Sequence, residues 1–189
     1  MFGSLALLTG LLAISRLIDA INTFVGRWIS WLVLVAVLVS ATNAVIRKVF
    51  NMSSNGWLEL QWYLFSAVFL LAAGYTLLTN DHVKVDLVYQ RVSRRTQLWI
   101  DILGTIFFLI PFCVVSIALS WPIVAGKIAN GEVSNNPGGL ILWPVWAFIP
   151  LGMFLLLIQG FSELIKRIAI MRGVIPDPVT TADAAAAAL

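Results

Sequence analysis

From Trp28 to Ile46 the chain reads Trp-Ile-Ser-Trp-Leu-Val-Leu-Val-Ala-Val-Leu-Val-Ser-Ala-Thr-Asn-Ala-Val-Ile, without one charged residue. Such a run matches the ~20 predominantly apolar residues that carry an α-helix across the hydrocarbon core of a bilayer. Three further uncharged runs follow, at Leu60–Asn80, Ile102–Gly126 and Val133–Ser162. In the last, Ser134-Asn135-Asn136-Pro137-Gly138-Gly139 reads as a turn, which moves the helix start to about Leu142. The expected spans are therefore 26–47, 57–79, 97–122 and 142–165.

Composition points the same way. Of the 189 residues, 60% are hydrophobic and 11% charged, whereas a soluble domain carries about 25% charged residues. The net charge of +3 is small, and the basic residues form short clusters between apolar runs, which excludes a nucleic-acid partner. Cys113 is the only cysteine and His82 the only histidine. The chain therefore has no internal disulfide or CxxC redox centre, and no bis-histidine haem anchor of its own. No cofactor, metal site or catalytic residue is expected.

The tryptophans place the spans independently. Trp28, Trp31, Trp57, Trp62, Trp99, Trp121, Trp143 and Trp146 all fall within about two turns of an expected boundary, as an interfacial aromatic belt requires. Lysine and arginine then set the orientation. Arg16, Arg27, Lys84, Arg91, Arg94, Arg95, Lys166, Arg167 and Arg172 fall on one side, against Arg47, Lys48 and Lys127 on the other. The positive-inside rule puts both termini and the middle loop in the cytoplasm.

Residues 1–15 are apolar but lack the basic start and cleavage site of a signal peptide. Continued as a helix, Thr9, Arg16, Asp19, Asn22 and Thr23 form a polar stripe against Leu5, Leu8, Leu11, Leu12, Leu17, Ile18 and Ile21. That pattern predicts an amphipathic helix at the inner interface. The expected fold is all-α integral membrane: an interfacial helix at 1–25, a four-helix membrane domain at 26–172, and a flexible cytoplasmic tail at 173–189. No internal repeat is present, so the inverted-repeat signature of a complete secondary transporter is missing.

An ionisable group at mid-depth would mark a transport path. The span centres instead hold Ala36, Leu70, Phe112 and Gly152 among apolar neighbours. Glu59, one turn into span two, reads either as a carboxylate favoured by the helix dipole or as a partner contact beside Gln61 and Trp62. Asp101 is a similar candidate at the start of span three, while Glu163 with Lys166 and Arg167 reads as a helix-surface ion pair. Ala36, Ser40 and Ala44 form a small-residue face suited to close helix packing. The loop Asp81-His82-Val83-Lys84-Val85-Asp86 leads into a short helix expected to meet lipid headgroups.

Glu59 followed by His82-Val83-Lys84-Val85-Asp86 resembles the small membrane subunit of tripartite ATP-independent periplasmic (TRAP) transporters over residues 28–172. Asn136-Pro137-Gly138-Gly139, Trp143-Pro144 and Gln159-Gly160 look like the branch for mannitol, chloroaromatic or 2-oxo-acid substrates. The resemblance implies a non-catalytic scaffold in the bacterial inner membrane. It would pair with a large TRAP permease subunit, be served by a periplasmic substrate-binding protein, and support sodium-driven uptake of organic acids. Glu59, Gln61, Trp62, His82, Lys84, Asp86 and Asp101 are then architectural or partner-facing, with membrane lipid around them. The competing readings are a self-sufficient four-helix exporter or channel, which would need an intramembrane charge, and a membrane enzyme or respiratory anchor.

Overall fold

The structure is a computed structural model that describes residues 2–51, 54–80 and 91–177, with side chains from residue 8 onward. His82, Lys84 and Asp86 lie outside the described residues. Helix α1 runs Phe2–Phe50, α2 Asn55–Leu71, α3 Ala73–Leu78, α4 Arg94–Gly104, α5 Ile110–Ala129 and α6 Trp143–Met171. A π-helical turn at Thr105–Leu109 joins α4 to α5. Among the described residues there is no β-strand, only the isolated bridge between Val133 and Ile141. Among the described residues four helical stretches are long and apolar enough to cross a membrane: Leu8–Phe50, Asn55–Leu78, Arg94–Ala129 and Trp143–Met171.

Helix α1 is one rod of 49 residues with no break near residue 25. At ~1.5 Å per residue it is about 73 Å long, more than twice the ~30 Å hydrocarbon core. No backbone boundary separates the expected interfacial segment from the first span. Gly26 sits within the rod because Tyr75 packs flat against it, where an added Cβ would lie 2.3 Å from the ring. Leu8, Ser15, Asn22, Ile29, Ala36 and Asn43 are all buried, each seven residues after the last. A strict seven-residue seam keeps one face of a helix against its neighbours over many turns. The opposite residues, among them Leu17, Phe24, Trp28 and Leu38, are exposed.

Helix α6 is the hub, packing against α1, α2, α3, α4 and α5. Its buried positions are mostly small: Gly152, Gly160, Ser162 and Ala169. In a bilayer the apolar tails compete equally for apolar side chains, so helices associate through close backbone approach and hydrogen bonds. Gly152 shows the closeness, since a Cβ there would stand 2.4 Å from the Leu70 carbonyl oxygen. Gly160 likewise admits the Leu109 side chain from the π turn.

Two spans are locally irregular. The second turns slightly at Ala72, yet Ala72 N–H still donates to Val68 and Thr76 N–H to Ala72, so α2 and α3 act as one span. In the third, Pro111 has no N–H for the Phe107 carbonyl and its ring would clash there. The turn before it widens, with Ile110 N–H reaching back to Thr105.

Candidate functional site

The polar residues gather at the two ends of the bundle. At one end the loop between α5 and α6 is folded back onto the first turns of α2. The bridge between Val133 and Ile141 and the Ser134 N–H to Leu140 bond make it a tight hairpin, with Gly131 and Gly138 at positive φ. Glu59 is its anchor: the carboxylate accepts from the Ser134 hydroxyl, from Asn136 Nδ2 at 2.8 Å and from the Leu140 N–H at 2.7 Å. Tyr63, one turn on, donates its hydroxyl to Ile141 at 2.9 Å, and Asn55 reaches Pro137. Close approach is helped by Gly56, where a Cβ would lie 2.9 Å from the Gly138 oxygen. Lys127 pairs with Glu132 at 2.7 Å and lies over the Trp146 ring at 4.8 Å. Its ammonium, hydrogen-bonded to Glu132, holds that carboxyl below the usual carboxylate range.

Of the neighbours read with Glu59, Trp62 points outward with 70% exposure and Gln61 is half-buried. Of the small-residue face, Ala36 is buried, Ser40 half-buried and bonded back to the Ala36 carbonyl, and Ala44 exposed. Within this chain the buried line of α1 follows 29, 36 and 43.

At the opposite end α1, α4 and α6 are tied by one polar network. Glu163 pairs with Lys166 and with Arg167, as the i+3 and i+4 spacing suggests. Both cations also reach other helices: Lys166 to Asp19 of α1 at 3.2 Å, and Arg167 to Asp101 of α4 at 3.0 Å. Asp101 is thus an interhelix partner within this chain. Asp19 also accepts from Gln159 at 2.9 Å and from Ser162 at 2.7 Å. Gln159 and Ser162 are fully buried, and Ser162 meets Ser15 at 2.7 Å.

The direction of these bonds is fixed by chemistry. Asp19 as a carboxylate only accepts, so Gln159 turns its amide nitrogen to it and its oxygen to Asn22, whose Nδ2 donates at 2.9 Å. That leaves Asn22 Oδ1 buried with no hydrogen bond among the described residues. It presses on Gly74 of α3, where a Cβ would come within 2.2 Å of it. Beyond this network Arg94 holds Asp177 through two nitrogens, at 2.6 and 2.9 Å. The stretch read as a tail from residue 173 is thereby pinned at its start.

Ser15, Asn22, Gln159 and Ser162 were not singled out as a set from the sequence. The signal was present in the seven-residue recurrence of 15, 22 and 29, but a polar stripe beside apolar residues reads equally as a headgroup contact.

The fold and these contacts define an integral membrane protein, a four-span helical bundle whose polar side chains join its helices. A family model for the DctQ component of tripartite ATP-independent periplasmic transporters matches residues 36–169. The chain belongs to that family, and so is a small permease component of a TRAP transporter. No match was found among curated proteins or among solved structures.

Proposed function

We propose that the chain is a non-catalytic scaffold: the small inner-membrane subunit that braces a large permease subunit while a periplasmic binding protein delivers small organic acids for sodium-driven uptake. One observation carries this reading. Asp19, Asp101, Glu163, Lys166 and Arg167, the charged side chains that join α1, α4 and α6, are all engaged with one another. A protein that moved ions by itself would need such groups along a route through the bilayer. Family membership supports the pairing with a large permease and a binding protein. Both termini are then cytoplasmic, with the N-terminal part of α1 at the inner interface and the loop held by Glu59 on the periplasmic face.

The test is affinity purification of the tagged chain from its native membrane in mild detergent, followed by mass spectrometry. The expected result is recovery of a large multi-span permease at near one-to-one ratio. Recovery of the chain alone, together with transport by the purified chain in liposomes, would replace the scaffold with a self-sufficient exporter.

A further inference from the structure

Between the two polar ends of the bundle one charged side chain among the described residues stands apart. Arg27 is exposed on the outer face of α1, and its guanidinium has no hydrogen bond or ion pair among the described residues. Its depth follows from how the helices pack. Spans two and four are free of charge over Leu60–Asn80 and Trp143–Ser162, so the midplane of a bilayer around them falls near Leu70 and Gly152. These two midpoints meet, since a Cβ on Gly152 would stand 2.4 Å from the Leu70 carbonyl oxygen.

Helix α1 runs antiparallel to α6, with Ser15 on Ser162 and Asn22 on Gln159. A Cβ on Gly74 would lie 2.2 Å from Asn22 Oδ1 and 3.0 Å from the Leu155 carbonyl oxygen. Asn22 therefore sits about one turn from the midplane, on the side of the ionic tie. Five residues along α1 carry the chain back by about 7.5 Å, which brings Arg27 to the midplane within about one turn. The uncharged run that begins at Trp28 reads Arg27 as a membrane edge; the packing of α1 against its neighbours puts it at mid-depth instead.

Lipid is a poor neighbour for it there. The guanidinium keeps its charge, and either headgroup layer is ~15 Å away, farther than the side chain extends. Phe24, Trp31 and Leu34, on the same face, are exposed and apolar. Charged groups inside membranes face protein or water and pair with opposite charge. A second copy of this chain has no such charge to give. Among the described residues Asp19, Asp101 and Glu163 share the ionic tie, Glu59 holds the hairpin, Glu132 holds Lys127 and Asp177 holds Arg94. A two-fold axis along the membrane normal through this face would also set Arg27 against Arg27.

We propose that the outer face of α1 around Arg27 seats a membrane helix of the large permease, and that Arg27 pairs there with a carboxylate of that helix at mid-membrane. The identity of the partner rests on the scaffold reading; the depth and exposure of Arg27 do not.

Tagged full-length chains are purified from the native membrane in mild detergent and checked for helical content and a single elution peak. The accompanying permease is quantified by mass spectrometry. Arg27→Leu and Arg27→Gln are expected to carry about tenfold less permease than the native chain, and Arg27→Lys to retain most of it. Arg16→Gln, at an exposed arginine of the same helix nearer the ionic tie, is the control and should match the native chain. A photo-crosslinking amino acid in place of Trp31, one turn from Arg27, should join the chain to the permease. Equal recovery by folded Arg27→Leu and the native chain overturns the proposal and leaves the scaffold reading standing, as does an equal loss in Arg16→Gln. Crosslinking at position 31 to lipid alone, or to a second copy of the chain, overturns it too. A native chain that brings down no permease overturns both readings together.

Discussion

Glu59 is the residue on which the architecture of the hairpin between α5 and α6 turns. Three donors from one hairpin converge on a single carboxylate, a geometry that a neutral side chain of the same size cannot reproduce in full. Glu59→Ala is expected to release the hairpin from α2 while leaving the spans folded. Hydrogen exchange should quicken at Ser134–Leu140 and stay unchanged in α5 and α6; unchanged exchange in the hairpin would remove Glu59 from its anchoring role. Glu59→Gln should give a milder version, since an amide oxygen still accepts but its nitrogen meets the Leu140 N–H. From the sequence, Glu59 was visible as an exception to an apolar pattern, but its partners were not. They lie 75 to 81 residues away in a turn, and turn chemistry alone does not say what a turn folds against.

Helix α1 and helix α6 show which features of an element can be read in advance. Their existence and apolar character follow from composition, because only a helix satisfies its own backbone in lipid. Which face of α1 is inward does not follow from hydropathy, since in a bilayer an apolar residue is equally at home outside. The decisive residues are the polar and small ones. Asn22→Leu is expected to lower the stability of the bundle by ~1 kcal/mol, the usual worth of an interhelical hydrogen bond in a membrane, and to leave Gln159 Oε1 without its donor. Gly152→Ala should do more, about 1–3 kcal/mol, because its Cβ would be forced onto the Leu70 backbone and cannot be relieved by a rotamer change. Both are measurable as shifts in detergent unfolding midpoints. An unaffected Gly152→Ala would mean that α2 and α6 are not held at the distance described.

As a whole molecule the chain is a bundle with two differently built ends, a hairpin platform at one and an ionic tie at the other. The excess of lysine and arginine at the tied end predicts that it faces the cytoplasm. Cys113 is fully buried, so Cys113→Ala offers a background for single-cysteine mapping. In that background Asn135→Cys, at an exposed loop position, should react with an impermeant maleimide in spheroplasts, and Arg172→Cys only after lysis. The reverse pattern would invert the topology and move the hairpin away from any periplasmic partner.

The pairing of Ser15, Asp19 and Asn22 with Gln159, Ser162 and Lys166 also sets an order of events during synthesis. These contacts join residues 137 to 147 positions apart, so the first span leaves the ribosome long before its partners exist. Until α6 arrives, the polar side chains of the nascent first span must be sheltered by the insertion machinery or by water at the membrane surface. The last helix is therefore the one that completes the first. A chain halted before Trp143 would be held in the membrane by its apolar runs and yet never mature, which makes it a natural substrate for membrane quality control.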